Sequence, residues 1–296
     1  YKYQKVGETA AYFMTGHSDE LCPNIFQQFD YNERWFHYTH AEVRRLGEKM
    51  AEDFSDFEMR LFKEGYQNKA KISFSSINTT VGLEEFGLYD QRTKFENAMK
   101  FARMSGCDNI RIYAGLVPEC DSPEVYYRDA ILRLSTYVSI AKERGFTLWL
   151  CHKRGTAAPT PEIAVRMIEE IGEDCLKIAF QPAECMRAGA DVLASFAAVR
   201  PYLAYFAVTD LDENGMAVPV GAGVLPYEAM LTQLLSDDYN GFIGLEPSYN
   251  KIGGKGIIKA NGKHLSLNSP SNAYRLNAAY LALKDLMDAV KEKLGK

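Results

Sequence analysis

Glu246 closes the apolar run GFIGLE (241–246), and a carboxylate at the end of such a run is a candidate general base. Other side chains able to carry or move charge sit at the ends of similar runs. TLWLC (147–151) ends in Cys151 and leads into His152 and Lys153, LKIAF (176–180) leads into Gln181 and Glu184, YLAYFAV (202–208) leads into Asp210, and Arg111 lies within NIRIYAG (109–115). Lys153 is the cation to set beside Glu246: it could polarise a carbonyl or hold an anionic substrate while Glu246 moves a proton. Successive strand residues point to opposite faces, so Cys151 and His152 are poorly aimed as a dyad, whereas Lys153 shares the face of Cys151 and would favour its thiolate. Each residue also has a plain structural reading. Glu246 could simply pair with Lys153, Cys151 could fill space, Asp210 could orient the loop after it, and Arg111, Arg154 and Arg187 could be solvated or salt-bridged.

These residues must be positioned by alternating strands and helices. From residue 71 onward, KISFSSI (71–77), NIRIYAG, TLWLC, LKIAF, YLAYFAV and GFIGLE read as six strands. Between them the spacing predicts helices over 91–105 (stopped by Gly106), from Ser122-Pro123-Glu124 to Arg144 (stopped by Gly145), from Thr160-Pro161-Glu162 through Ile171, over 190–199 and over 226–236. A last helix over 271–294 carries Leu276, Ala279, Leu283, Leu286, Met287 and Val290 on its buried side. Alternation of this kind implies a parallel sheet, and near-continuous apolar strands imply that both its faces are covered. A closed α/β barrel satisfies both demands. No GxGxxG follows the first strand, which disfavours an open dinucleotide-binding sheet.

The N-terminal part is irregular. KVGETAAYFM (5–14) can supply one strand, and an eighth has to come from the aromatic-rich stretch 15–38. Thr39-His40-Ala41-Glu42 reads as a capping box, followed by a helical stripe of Val43, Leu46, Met50, Phe54, Phe57 and Leu61.

The 296 residues, 47% of them hydrophobic, suit a single barrel domain over 1–296 with a large core. A net charge of −5 argues against nucleic acid as partner, and no apolar run is long enough for a membrane span. The six cysteines include no CxxC pair and the five histidines are scattered, so the thiols are expected to be reduced and buried, in a cytoplasmic setting. The first residue is Tyr1, which leaves export after removal of a leader as the alternative. An oligomer is compatible with all of this.

Five runs in order over about 90–247 resemble the xylose-isomerase-like TIM barrels, also called the sugar phosphate isomerase/epimerase superfamily: GFTLWLCHKRG, IAFQPAECMRAGAD, AYFAVTD, PVGAGVLPYEAMLTQL and NGFIGLEPSY. The resemblance implies a (β/α)8 barrel acting on a small sugar or polyol, with a divalent metal held by Glu, Asp, His and Glu at four strand ends and the two glutamates shuttling a proton. Carried over residue by residue, the first Glu becomes Cys151, the Asp becomes Gln181 and the His becomes Ala207, while the last Glu is kept as Glu246. The histidines of two neighbouring family motifs become Lys153 and Glu184. Two unit charges about 4 Å apart interact by about 4 kcal/mol at an effective dielectric near 20, so losing two carboxylates should weaken metal binding by several powers of ten. The expectation is therefore an isomerase or epimerase without a metal cofactor, with Glu246 and Lys153 catalytic and Cys151, His152, Gln181, Glu184, Arg111 and Asp210 around the substrate. A non-catalytic sugar binder, with Trp149, Tyr205, Phe206 or Tyr249 stacking on sugar faces, is the alternative. A glycoside hydrolase pairing Glu246 with Glu184 or Asp210 is a more distant one.

Overall fold

The structure, a computed structural model, describes residues 13–16, 40–67, 73–83, 91–119, 121–246, 257–260, 263–266 and 272–296. Eight parallel strands form one sheet: β1 (Phe13–Gly16), β2 (His40–Val43), β3 (Ser73–Asn78), β4 (Asn109–Ile112), β5 (Thr147–Cys151), β6 (Leu176–Phe180), β7 (Leu203–Val208) and β8 (Phe242–Leu245). Their spatial order, β1-β8-β7-β6-β5-β4-β3-β2, is the chain order taken around a ring, and β1 lies against β2. This is the (β/α)8 barrel expected from the alternation of elements.

The helices follow their strands. They are α1 (Asp56–Phe62), α2 (Arg92–Ser105), α3 (Tyr127–Arg144), α4 (Pro161–Ile171), α5 (Pro182–Arg187), α6 (Val192–Val199), α7 (Tyr227–Ser236) and α8 (Asn272–Leu294). α3 ends where Gly145 takes a left-handed φ of 71°, a conformation that costs a side chain-bearing residue more than glycine. Proline stands in the first turn of α4, but Thr160 makes no side-chain capping bond. On α8, Ala279, Leu283, Leu286, Met287 and Val290 are buried as expected, and the side chain of Leu276 lies outside the described residues.

Alternate residues of β4 to β8 separate two apolar layers. Ile110, Ile112, Leu148, Leu150, Ile178, Phe180, Phe206, Val208, Ile243 and Leu245 face outward into the helix-packed core. Trp149, Cys151, Ala179, Tyr205 and Ala207 fill the barrel interior. The ring of Trp149 lies 5.5 Å from those of both Tyr205 and Phe242, and these three rings floor the barrel. Gly244 is the small residue that makes room for them, because a Cβ there would stand 1.9 Å from the Tyr205 hydroxyl.

The N-terminal region departs from the sequence reading. The α-helix predicted from a capping box at Thr39–Glu42 is absent; His40–Val43 is strand β2, Arg45–Leu46 and Lys49–Met50 form a small antiparallel ribbon, a 3-10 turn covers Ala51–Asp53, and α-helix begins at Asp56. The capping box is instead Ser55 with Glu58. Phe57 and Leu61, read as part of a buried stripe, are 61% and 52% exposed. The 3.6-residue spacing arose by coincidence from a strand, a tight ribbon and a short helix in succession. A strand was expected from 5–14; β1 includes Phe13 and Met14 of that run, and 5–12 lie outside the described residues. The stretch 15–38 lies almost wholly outside the described residues, and β2 begins just beyond it.

Candidate active site at the barrel mouth

Arg111 is the centre of the site. It points inward from β4, is fully buried, and has a guanidinium that stays protonated at any physiological pH. Its Nη1 lies 2.7 Å from Glu42 Oε1 and 2.6 Å from Glu246 Oε1, and its Nε donates to Cys151 Sγ at 3.3 Å. The guanidinium carbon sits 4.6 Å from the centre of the Tyr205 ring, a cation–π contact in a dry environment. Nη2 is buried and has no hydrogen-bond partner among the described residues.

Each partner is delivered by a specific local feature. Glu42 follows a register shift between Ala41 and Glu42 on β2, and Ser76 of β3 donates to its Oε1 at 3.0 Å. Glu246 follows β8, where its N–H donates to Val208 at 3.1 Å and its carbonyl accepts from the Thr209 hydroxyl. Among the described residues its carboxylate takes three further donors: Arg111 and the Tyr205 hydroxyl (3.1 Å) on Oε1, and Gln181 Nε2 (3.1 Å) on Oε2. Burial, reinforced by the nearby Glu246 and Glu42 charges, holds the Tyr205 phenol well above its usual range, so it stays a neutral donor.

Above this cluster opens a cavity of about 620 Å³, large enough for a small ligand. Arg111, Lys153, Gln181, Glu184 and Glu246, all expected at the site, line it. Arg44, Tyr113, Arg154, Arg187, Thr209 and Tyr227 join them. Arg187 is not a spare cation, since its Nη1 pairs with Glu184 Oε1 at 2.6 Å. Lys153 does not reach Glu246; among the described residues the cation on Glu246 is Arg111.

Three expected residues do not line the cavity. Cys151 lies beneath it, fully buried against Arg111; burial pushes its thiol pKa up despite the pull of that guanidinium, so the thiolate expected from Lys153 is not favoured. His152 faces the helix layer, its ring 5.6 Å from Phe180. Its Nε2 accepts the Gln181 N–H at 3.1 Å, and burial depresses its pKa to about 3. The imidazole is thus a neutral bracket that aims Gln181. Asp210 is fully buried, and its carboxylate accepts the backbone N–H groups of Leu211, Gly221, Gly223 and Leu225. Burial raises its pKa while those four donors lower it. Asp210 therefore ties down the loop after β7 and stands outside the cavity lining. Trp149, Tyr205 and Phe206 are core rather than sugar platforms, and Tyr249 lies outside the described residues.

Glu42 was missed because the sequence around it mimics a helix cap. No group of three or more His, Cys, Asp or Glu among the described residues is placed to hold a metal ion.

The xylose-isomerase-like TIM-barrel family matches residues 29–278. The chain belongs to that family. Solved structures agree on the fold. The IOLI protein, solved with a zinc atom, superposes with a TM-score of 0.71 at 12% identity, over 94% of this chain and 98% of that one. A D-tagatose 3-epimerase-like protein gives 0.70 at 15% identity, over 95% and 99%. A xylose-isomerase-like TIM barrel protein from Mycobacterium smegmatis, in complex with magnesium, gives 0.64 at 17% identity, over 95% and 98%. No curated protein sequence matches the chain. Among the described residues no helix is long and apolar enough to cross a membrane.

Proposed function

We propose that this family member acts on a small sugar or polyol as an isomerase or epimerase in which the Arg111 guanidinium supplies the positive charge that a divalent ion provides elsewhere in the family. The observation that carries the reading is the placement of Glu246 at the cavity floor beside a buried guanidinium whose Nη2 has no partner among the described residues. The donor set does not suit a hard divalent cation. It offers a protonated thiol at Cys151, a neutral amide at Gln181, no donor at Ala207, and a Glu246 oxygen already facing Arg111. A dication brought within about 4 Å of that guanidinium would be repelled by about 8 kcal/mol at an effective dielectric near 20.

In the proposed reaction, Glu246 takes the proton from the carbon next to the substrate carbonyl. The bonding electrons move onto the carbonyl oxygen, and an Arg111 N–H stabilises the developing oxyanion. Return of the proton to the former carbonyl carbon, with the hydroxyl on the first carbon passing its proton to the oxyanion, gives the isomer; an epimer requires a proton delivered to the first carbon from the face opposite Glu246. Gln181 and Tyr205 hold the carboxylate in line.

The experiment is solvent deuterium exchange into aldoses and ketoses by chelator-treated protein, with metal content measured on the same sample. Exchange that persists without metal and disappears in Glu246→Gln supports the proposal; exchange that requires added Mn²⁺ or Mg²⁺ overturns it. A second reading, a sugar binder without catalysis, is favoured by the three donors that immobilise the Glu246 carboxylate. It predicts saturable sugar binding with no exchange.

A further inference from the structure

The cavity is cationic in a protein of net charge −5: Arg44, Arg111, Lys153, Arg154 and Arg187 line it against Glu184 and Glu246. Arg111 is matched by Glu42 and Glu246, and Arg187 by Glu184. Lys153 and Arg154 have no carboxylate partner among the described residues, although Lys153 is half-buried. A half-buried ammonium without a counter-ion is costly unless a ligand supplies one.

The backbone that presents these two cations is braced. Lys153 N–H donates to Ala158 at 2.9 Å, its carbonyl accepts from Thr156 N–H at 3.1 Å and Thr156 Oγ1 at 2.7 Å, and Val117 N–H reaches Gly155 at 2.9 Å. Such bracing reduces the ordering cost of binding. In TIM barrels a phosphate is frequently held by loops after strands 7 and 8. Here the glycine-rich loop after β7 spends the N–H groups of Gly221 and Gly223 on Asp210, leaving neither to cradle phosphate oxygens. Among the described residues the anion site therefore consists of side-chain cations, and the planar Arg154 guanidinium can grip a carboxylate through two parallel N–H groups.

Building on the sugar reading above, we propose that the substrate is a sugar acid: a polyhydroxylated molecule whose carboxylate is held by Lys153 and Arg154 while its reacting end reaches Arg111 and Glu246. Calorimetric titration of the full chain with gluconate, sorbitol, sorbitol 6-phosphate and acetate tests this. Gluconate should bind at least about tenfold more tightly than sorbitol, sorbitol 6-phosphate or acetate. The Lys153→Met/Arg154→Met variant, at an unchanged unfolding midpoint, should bring the gluconate-to-sorbitol ratio close to one. Sorbitol binding as well as gluconate, or a ratio that survives in the variant, overturns the carboxylate proposal and leaves the sugar reading standing. Tighter binding of the phosphate ester overturns the choice of anion. Acetate matching gluconate overturns the sugar reading itself, and no binding by any of the four overturns both.

Discussion

Arg111 and Glu246 are 135 residues apart in the chain and 2.6 Å apart in the fold. With Glu42 2.7 Å away on the other side, one buried guanidinium joins β4 to β2 and to the end of β8. The same contact closes the barrel electrostatically and sets the geometry of the mouth.

Removing that cation should be severe. Arg111→Met takes the shared guanidinium away from the buried Glu42 and Glu246 carboxylates, with an expected loss of about 3–5 kcal/mol in unfolding free energy. The triple variant Glu42→Gln/Arg111→Met/Glu246→Gln should recover much of it, because no charge is left stranded. Urea unfolding of the two variants beside the parent checks this; equal stability of all three would exclude a strong ionic cluster.

His152 predicts an acid-sensitive fold. Its pKa is about 3 when folded against 6.5 in the unfolded chain, so between these values the unfolded state binds a proton that the folded state does not. Stability is unaffected above pH 6.5 and falls on acidification, by at most about 1.4 kcal/mol per pH unit, until the folded imidazole itself protonates. In His152→Gln, which keeps an acceptor for the Gln181 N–H, the drop from neutral pH to about pH 5 should be smaller than in the parent by about 2 kcal/mol. Denaturant midpoints across that range would show parallel curves if the prediction is wrong.

Asp210→Asn replaces one carboxylate oxygen by a donor facing backbone N–H groups. Two N–H groups lose their acceptor, since Oδ1 and Oδ2 each take two. The expected cost is about 2–4 kcal/mol, with hydrogen exchange quickened first at Gly221 to Leu225. Uniform exchange across the molecule would contradict a loop-anchoring role.

Gly244→Ala forces a methyl group into the Tyr205 ring and hydroxyl. Overpacking of this kind typically costs about 1–3 kcal/mol, and displacing Tyr205 also removes a donor from Glu246. Any sugar affinity should fall along with the melting temperature.

Much of the barrel was written in local pattern. TLWLC and LKIAF are β5 and β6 to the residue, and the helix before Gly145 ends where a left-handed residue was needed. The two-residue period also told correctly that Cys151 and His152 face opposite layers. Local rules failed at β2, where four residues owe their extended form to pairing with β3 rather than to their own propensities. They failed again at charge pairing. Which cation answers Glu246 depends on barrel closure, which brings β2, β4 and β8 together across the interior, and nothing in the spacing of Lys153, Arg111 and Glu246 chooses between the two cations. Strand and helix periods are set by neighbours along the chain and are therefore readable from it. The ion cluster is set by neighbours across the barrel and exists only once the sheet has closed.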